Sequence, residues 1–71
     1  MENRLKEIRI KEGLTITELS KKSDVSTRTI SRIENSEGKS KVETLNKLLK
    51  NLNELTNKSY SFENVFGKLV N

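Results

Sequence analysis

The sequence has no cysteine, histidine, proline, tryptophan, alanine or glutamine among its 71 residues. Without cysteine there can be no disulfide framework, and nothing marks a secreted scaffold. Without cysteine and histidine the usual zinc ligand sets are excluded, as are histidine-dependent triads and thiol nucleophiles. No metal or cofactor is expected. No apolar run is long enough for a transmembrane helix, and no membrane partner is expected. The charged, interrupted N-terminus lacks the apolar centre of a signal peptide, so the cytoplasm is the expected compartment. Only three aromatic residues and three glycines are present. No Gly/Ser/Pro linker and no repeat divides the chain, which is expected to form a single domain spanning 1–71, with a core at about 3–66 and a short tail at 67–71.

Leucine, isoleucine, valine and phenylalanine together make 20 of the 71 residues, which is enough for a lean core. At this length only about 60% of the unfolded chain's surface can be buried, so the domain should be marginally stable. The net charge is +4 and the isoelectric point about 9.6. That balance alone separates poorly between a solvated surface and a nucleic-acid partner. The charge is also spread thinly along the chain.

Apolar residues recur at spacings of three and four throughout, which predicts an all-α chain. Five helical segments follow from start and stop signals. The first runs from an Asn3 cap to about Glu12, with Leu5 and Ile8 on its inner face and Gly13 as its left-handed stop. The second opens on a capping box, Thr15-Ile16-Thr17-Glu18, with Leu14 and Leu19 as its hydrophobic staple. It runs to about Ser23, and Asp24 is suited to a left-handed turn. The third is capped by Ser26 and runs to about Asn35, with Val25, Ile30 and Ile33 inward. The fourth opens on a second capping box, Ser40 to Glu43, and carries the stripe Val42, Leu45, Leu48, Leu49 and Leu52. Residues 53–59 read as a loop or frayed helix end. The fifth starts near Ser61 and groups Phe62, Val65 and Phe66.

Segments two and three are each about two turns long and joined by a tight turn, which is helix-turn-helix geometry. Opposite Ile30 and Ile33, the third segment presents Thr27, Arg28, Ser31 and Arg32, with Asn35 at its end. Arg28 and Arg32 are stacked four apart, and no acid interrupts the face. Guanidinium and hydroxyl groups suit guanine edges and phosphate oxygens. The competing reading is an ordinary solvated helix face.

At this point the chain resembles the lambda-repressor/Cro-type helix-turn-helix family. The resemblance covers roughly Asn3 to Leu52, and less strictly Phe62 to Phe66. It rests on Gly13-Leu14-Thr15 leading to Glu18-Leu19, on Val25-Ser26 leading to Thr29 through Asn35, and on Thr44-Leu45. It implies a compact five-helix, lambda-repressor-like DNA-binding domain with the third helix in the major groove of double-stranded DNA. It further implies Thr27, Arg28, Ser31 and Arg32 as base readers. Thr15, Ile16 and Thr17 would hold a phosphate at the start of helix two, and Asn35, Ser36, Lys39 and Lys41 would follow the backbone. Arg9 and Glu34 stand where such proteins often have a buried ion pair; the alternative is two independent solvated charges. The chain departs from the pattern at Ile16, often glutamine, at Asp24, usually glycine, at Ser20, usually alanine, and at Ser40, which replaces a common proline.

The expected function is sequence-specific transcriptional regulation, chiefly repression, by a homodimer on an inverted repeat. An enzyme is not expected, because no carboxylate pair, Gly-rich phosphate loop or metal cluster appears, and no small-molecule substrate is implied. A second class is a protein-interaction module, either the antitoxin of a toxin pair or an antagonist of a related repressor. Phe66, Leu69 and Val70 are assigned to a dimer contact, although core packing of Phe62, Val65 and Phe66 under the fourth helix competes for the first of them.

Overall fold

In the computed structural model residues 3–67 are described. They form α1 (Leu5–Lys11), α2 (Ile16–Ser23), α3 (Thr27–Glu34), α4 (Val42–Thr56) and α5 (Phe62–Phe66), with no strand among them. Each expected segment is a helix. The core joins Leu5 and Ile8 of α1, Leu19 of α2, Val25 of the turn, Ile30 and Ile33 of α3, Leu45, Leu48 and Leu52 of α4, and Val65 and Phe66 of α5. Helix α4 packs across α2, while α1 lies against α3 and α5. No helix of the described residues is long and apolar enough to cross a membrane.

The ends of the helices explain why short segments hold. In α2 the Thr15 hydroxyl accepts from the Glu18 backbone N–H, and the Glu18 carboxylate accepts from the Thr15 N–H, each at 3.0 Å. The predicted capping box is therefore complete, and Leu14 packs against the core to which Leu19 belongs. Ser26 caps α3, accepting from the Thr29 N–H at 3.1 Å. Helix α1 ends in a Schellman motif: the Leu14 N–H bonds the Arg9 carbonyl and the Gly13 N–H bonds the Ile10 carbonyl, each at 3.0 Å, with Gly13 at φ +74°. Helix α3 ends the same way. The Glu37 N–H reaches the Arg32 carbonyl at 2.9 Å and the Ser36 N–H reaches the Ile33 carbonyl at 3.0 Å. There Ser36 holds the left-handed position at φ +54°.

Three details differ from the sequence reading. Helix α4 begins one residue late for the second capping box. Lys41 is its N-cap, with no side-chain cap bond. Glu43 thus sits one position too early to return to the cap, because Leu45, Leu48 and Leu52 set the register by entering the core. Val42 leaves the apolar stripe and is 46% exposed. Residues 53–56 continue α4 and do not form a loop. Asn57 ends the helix at φ +56°, and the Asn53 side chain ties down the segment beyond it through both backbone polar groups of Tyr60, at 2.8 and 3.0 Å. Asn3 lies one residue outside the N-cap position, held by Arg4, yet its Oδ1 still accepts from the Leu5 N–H at 2.9 Å. Its amide also donates to the Ile33 carbonyl, linking the start of α1 to the end of α3.

Candidate nucleic-acid interface

Helix α3 has only eight residues, too few to be stable alone in water. Its position is set by what grips it. Ile30 and Ile33 are 0% and 3% exposed and hold its inner face. Its C-terminus is held by Arg9, whose Nε donates to Glu34 Oε2 at 2.7 Å and whose Nη2 donates to Glu34 Oε1 at 3.2 Å. The fork is bidentate, and the side chains are only 12% and 4% exposed. Arg9 Nη1 also donates to the Leu14 carbonyl at 2.9 Å, so one guanidinium binds α1, the α1–α2 loop and α3 together. Glu34 is thereby neutralised and turned inward, and the outer face of α3 keeps its positive sign.

On that outer face Thr27, Arg28 and Arg32 are exposed and Ser31 is half-buried. There is no acid in the first turn of α3. No acid among the described residues forms an ion pair with Arg28 or Arg32. The structure thus leaves both guanidinium groups available to an outside partner.

The start of α2 is more restricted than its sequence implied. The capping box occupies the Thr15 hydroxyl, the Thr15 N–H and the Glu18 N–H. The Ile16 side chain is half-buried against the core. What remains at this end is the N–H groups of Ile16 and Thr17, which helix geometry leaves without an intrahelical acceptor, and the exposed Thr17 hydroxyl. Beyond α3, Asn35, Ser36, Lys39 and Lys41 are all exposed. The backbone N–H groups of Asn35 and Ser36 are spent on the Ser31 and Ile33 carbonyls, so only their side chains can reach a ligand.

Between α3, the α3–α4 loop and the start of α4 lies a cleft of about 130 Å³ lined by Thr29, Arg32, Glu37, Lys39, Ser40, Lys41 and Thr44. Thr29, Glu37 and Thr44 were given no contact role in the sequence reading, although Thr29 and Thr44 belong to the motifs that carry the resemblance. The three-residue spacing from Thr29 to Arg32 was a visible signal. The return of Glu37 was not, because it depends on a serine adopting the left-handed position. The dimer assignment requires a correction. Phe66 is fully buried, with its ring 5.2 Å from that of Phe62 at a tilt of 53°, and so belongs to the core. Leu69 and Val70 lie outside the described residues.

The arrangement presents a capped helix, a tight turn and a short second helix with an acid-free basic face, the last two gripped from behind. It suits entry of α3 into a major groove while the flanking loops meet phosphates. A protein-family model described as Helix-turn-helix matches residues 5–56, well over half of the chain. No curated protein and no solved structure matches the chain. The chain therefore belongs to the helix-turn-helix family of lambda-repressor/Cro type, a family of DNA-binding transcription regulators.

Proposed function

We propose that the protein is a cytoplasmic repressor that binds an inverted repeat in double-stranded DNA as a homodimer. In this reading α3 enters the major groove, and Thr27, Arg28, Ser31 and Arg32 contact base edges. The N–H groups of Ile16 and Thr17, with the Thr17 hydroxyl, hold a phosphate beside α2, where Thr15 acts by capping the helix. Asn35, Ser36, Lys39 and Lys41 follow the backbone on the other side. Two copies would read half-sites about 34 Å apart. The observation that carries the reading is the acid-free basic face of α3, directly opposite the buried Ile30 and Ile33. Residues 1–71 act here as one DNA-binding unit, and no catalytic role is proposed.

Selection of bound sequences from random duplexes tests this reading, followed by affinity measurements across a salt series. A sharp, two-fold symmetric consensus is expected, with affinity falling steeply as salt rises. Arg28→Ala combined with Arg32→Ala should abolish the preference while the fold persists. Absence of both salt dependence and consensus would overturn the reading. It would favour a protein-interaction module, such as an antitoxin or a repressor antagonist.

A further inference from the structure

Among the described residues six positions have positive φ, and three of them are filled by non-glycine residues: Asp24 at 59°, Ser36 at 54° and Asn57 at 56°. The chain therefore accepts a left-handed backbone without glycine at half of these positions. Gly38, at φ +69°, differs in its surroundings. A Cβ built on it would lie 3.1 Å from Nη2 of Arg32, closer than the 3.4–4 Å of ordinary contact. At Gly13, φ +74°, a Cβ would meet nothing within 4 Å. The space that a side chain at position 38 would take is occupied by the Arg32 guanidinium.

We propose that Gly38 is a positioning residue for Arg32 and, through it, sets the base preference at the loop end of the reading face. The proposal rests on the DNA-reading assignment above. The Schellman motif folds the loop back over the last turn of α3, with the Glu37 N–H bonded to the backbone carbonyl of Arg32 itself. Gly38 follows directly, and the Arg32 side chain lies against it on the wall of the cleft shared with Glu37 and Lys39. A Cβ at position 38 would force the guanidinium to give way by a few tenths of an ångström and so shift where it rests before DNA binds. Bidentate contact with a guanine edge also tolerates little misplacement, so a shift of a few tenths of an ångström at the guanidinium is felt. Arg28, one turn nearer the helix start, has no such neighbour, and its contribution should be insensitive to position 38.

The test is base selection and operator affinity for the wild type, Arg32→Ala, Gly38→Ala, Gly38→Asn and the Arg32→Ala, Gly38→Asn pair. Asparagine tolerates the left-handed backbone while supplying a Cβ, so it keeps the test open if alanine unfolds the chain. Arg32→Ala should weaken operator binding by roughly 5- to 100-fold and relax particular base positions. Gly38→Asn should weaken binding by about 3- to 10-fold and alter the same positions, a fraction of the loss from removing the contact outright. In the Arg32→Ala background it should change nothing further. Gly13→Ala, equally strained but without a neighbour, should lower the thermal midpoint and leave base preference unchanged. The inference is overturned if a folded Gly38→Asn protein keeps the wild-type preference. It is also overturned if its effect persists without Arg32, or if it falls on positions that Arg32→Ala leaves sharp. A wild type that selects no sequence would instead overturn the DNA-reading assignment, and this inference with it.

Discussion

Breaking the Arg9–Glu34 pair should cost more than any surface substitution in this protein, and the cost should be strongly non-additive. The pair is bidentate, with N–O distances of 2.7 and 3.2 Å and side chains that are 12% and 4% exposed. Removing one partner of such a pair leaves an uncompensated charge away from water, at about 3–5 kcal/mol. Arg9→Ala carries the larger loss, because it strands the Glu34 carboxylate and also removes the donor to the Leu14 carbonyl. Glu34→Ala should cost less, since Arg9 keeps Leu14 and is the more exposed of the two. The double variant has no stranded charge. It should therefore be more stable than the sum of the singles implies, with a coupling energy of about 1–3 kcal/mol. A chain of this size has a total stability of only about 4–11 kcal/mol, so Arg9→Ala should remove a large part of it. Urea unfolding of the four proteins, followed by helical circular dichroism, measures the cycle. A coupling below about 0.5 kcal/mol would refute the argument, since neighbours this close should not be additive.

Four further outcomes follow from the same geometry. The Glu12 carboxylate accepts from Lys58 at 2.5 Å and from the Tyr60 hydroxyl. The Lys58 bond, then the Tyr60 bond, holds its pKa below the ordinary carboxylate value. Its contribution to stability is therefore present above about pH 4.3 and lost as pH falls through the lowered value, and Glu12→Gln should flatten the acid limb of a pH–stability curve. Bonding to Glu12 raises both Lys58 and Tyr60, so their contribution is present below about pH 10 and lost as pH rises through the raised values; alkaline titration of Tyr60 absorbance reads this directly. Ser36→Gly should stabilise the protein by about 0.5–1 kcal/mol, because glycine accepts the left-handed position without the Cβ penalty; an unchanged or lowered urea midpoint would contradict this. Leu48→Ala, at a fully buried site in the middle of α4, should cost about 2–5 kcal/mol and is read by the same urea assay.

The number and order of helices were legible because each carries a period of three to four and a start or stop signal of its own. The Thr15–Glu18 box, the Ser26 cap and the Gly13 and Asp24 stops appear where those residue types require them. The Ser40–Glu43 pattern matched the same rule and misled, because a capping signal is local while the register of α4 is set by Leu45, Leu48 and Leu52 meeting α2 and α5. The end of α4 was hidden by its asparagines, which are poor helix formers on average. In place Asn53 spends its amide on Tyr60, and Asn57 provides the left-handed stop. For the candidate site, the outer face of α3 follows from helical spacing alone. The closeness of the Arg32 guanidinium to Gly38 does not, because the two meet across a loop whose return is made by backbone hydrogen bonds.

In the proposed reading, an α3 of eight residues ties recognition to stability. Helix α3 contributes little cohesion of its own, so its angle on the body of the protein is defined by Ile30, Ile33, the Arg9–Glu34 fork and the Asn3 bond to Ile33. None of these groups lies on the face assigned to DNA, yet each should behave as a binding residue when removed. The two kinds of defect separate by their dependence on ligand. A variant that only lowers the folded fraction recovers operator binding once the concentration of DNA is high, because binding stabilises the folded state by RT ln(1 + [L]/Kd). A variant that lets α3 tilt does not recover, since its folded state has lost the correct presentation of Arg28 and Arg32. Asn3→Ala removes the bond to the Ile33 carbonyl and the one accepted from the Leu5 N–H while sparing the core, and should weaken operator binding at temperatures where circular dichroism shows a fully folded chain. Full affinity in that variant would mean that Ile30, Ile33 and the Arg9–Glu34 fork fix the helix without Asn3.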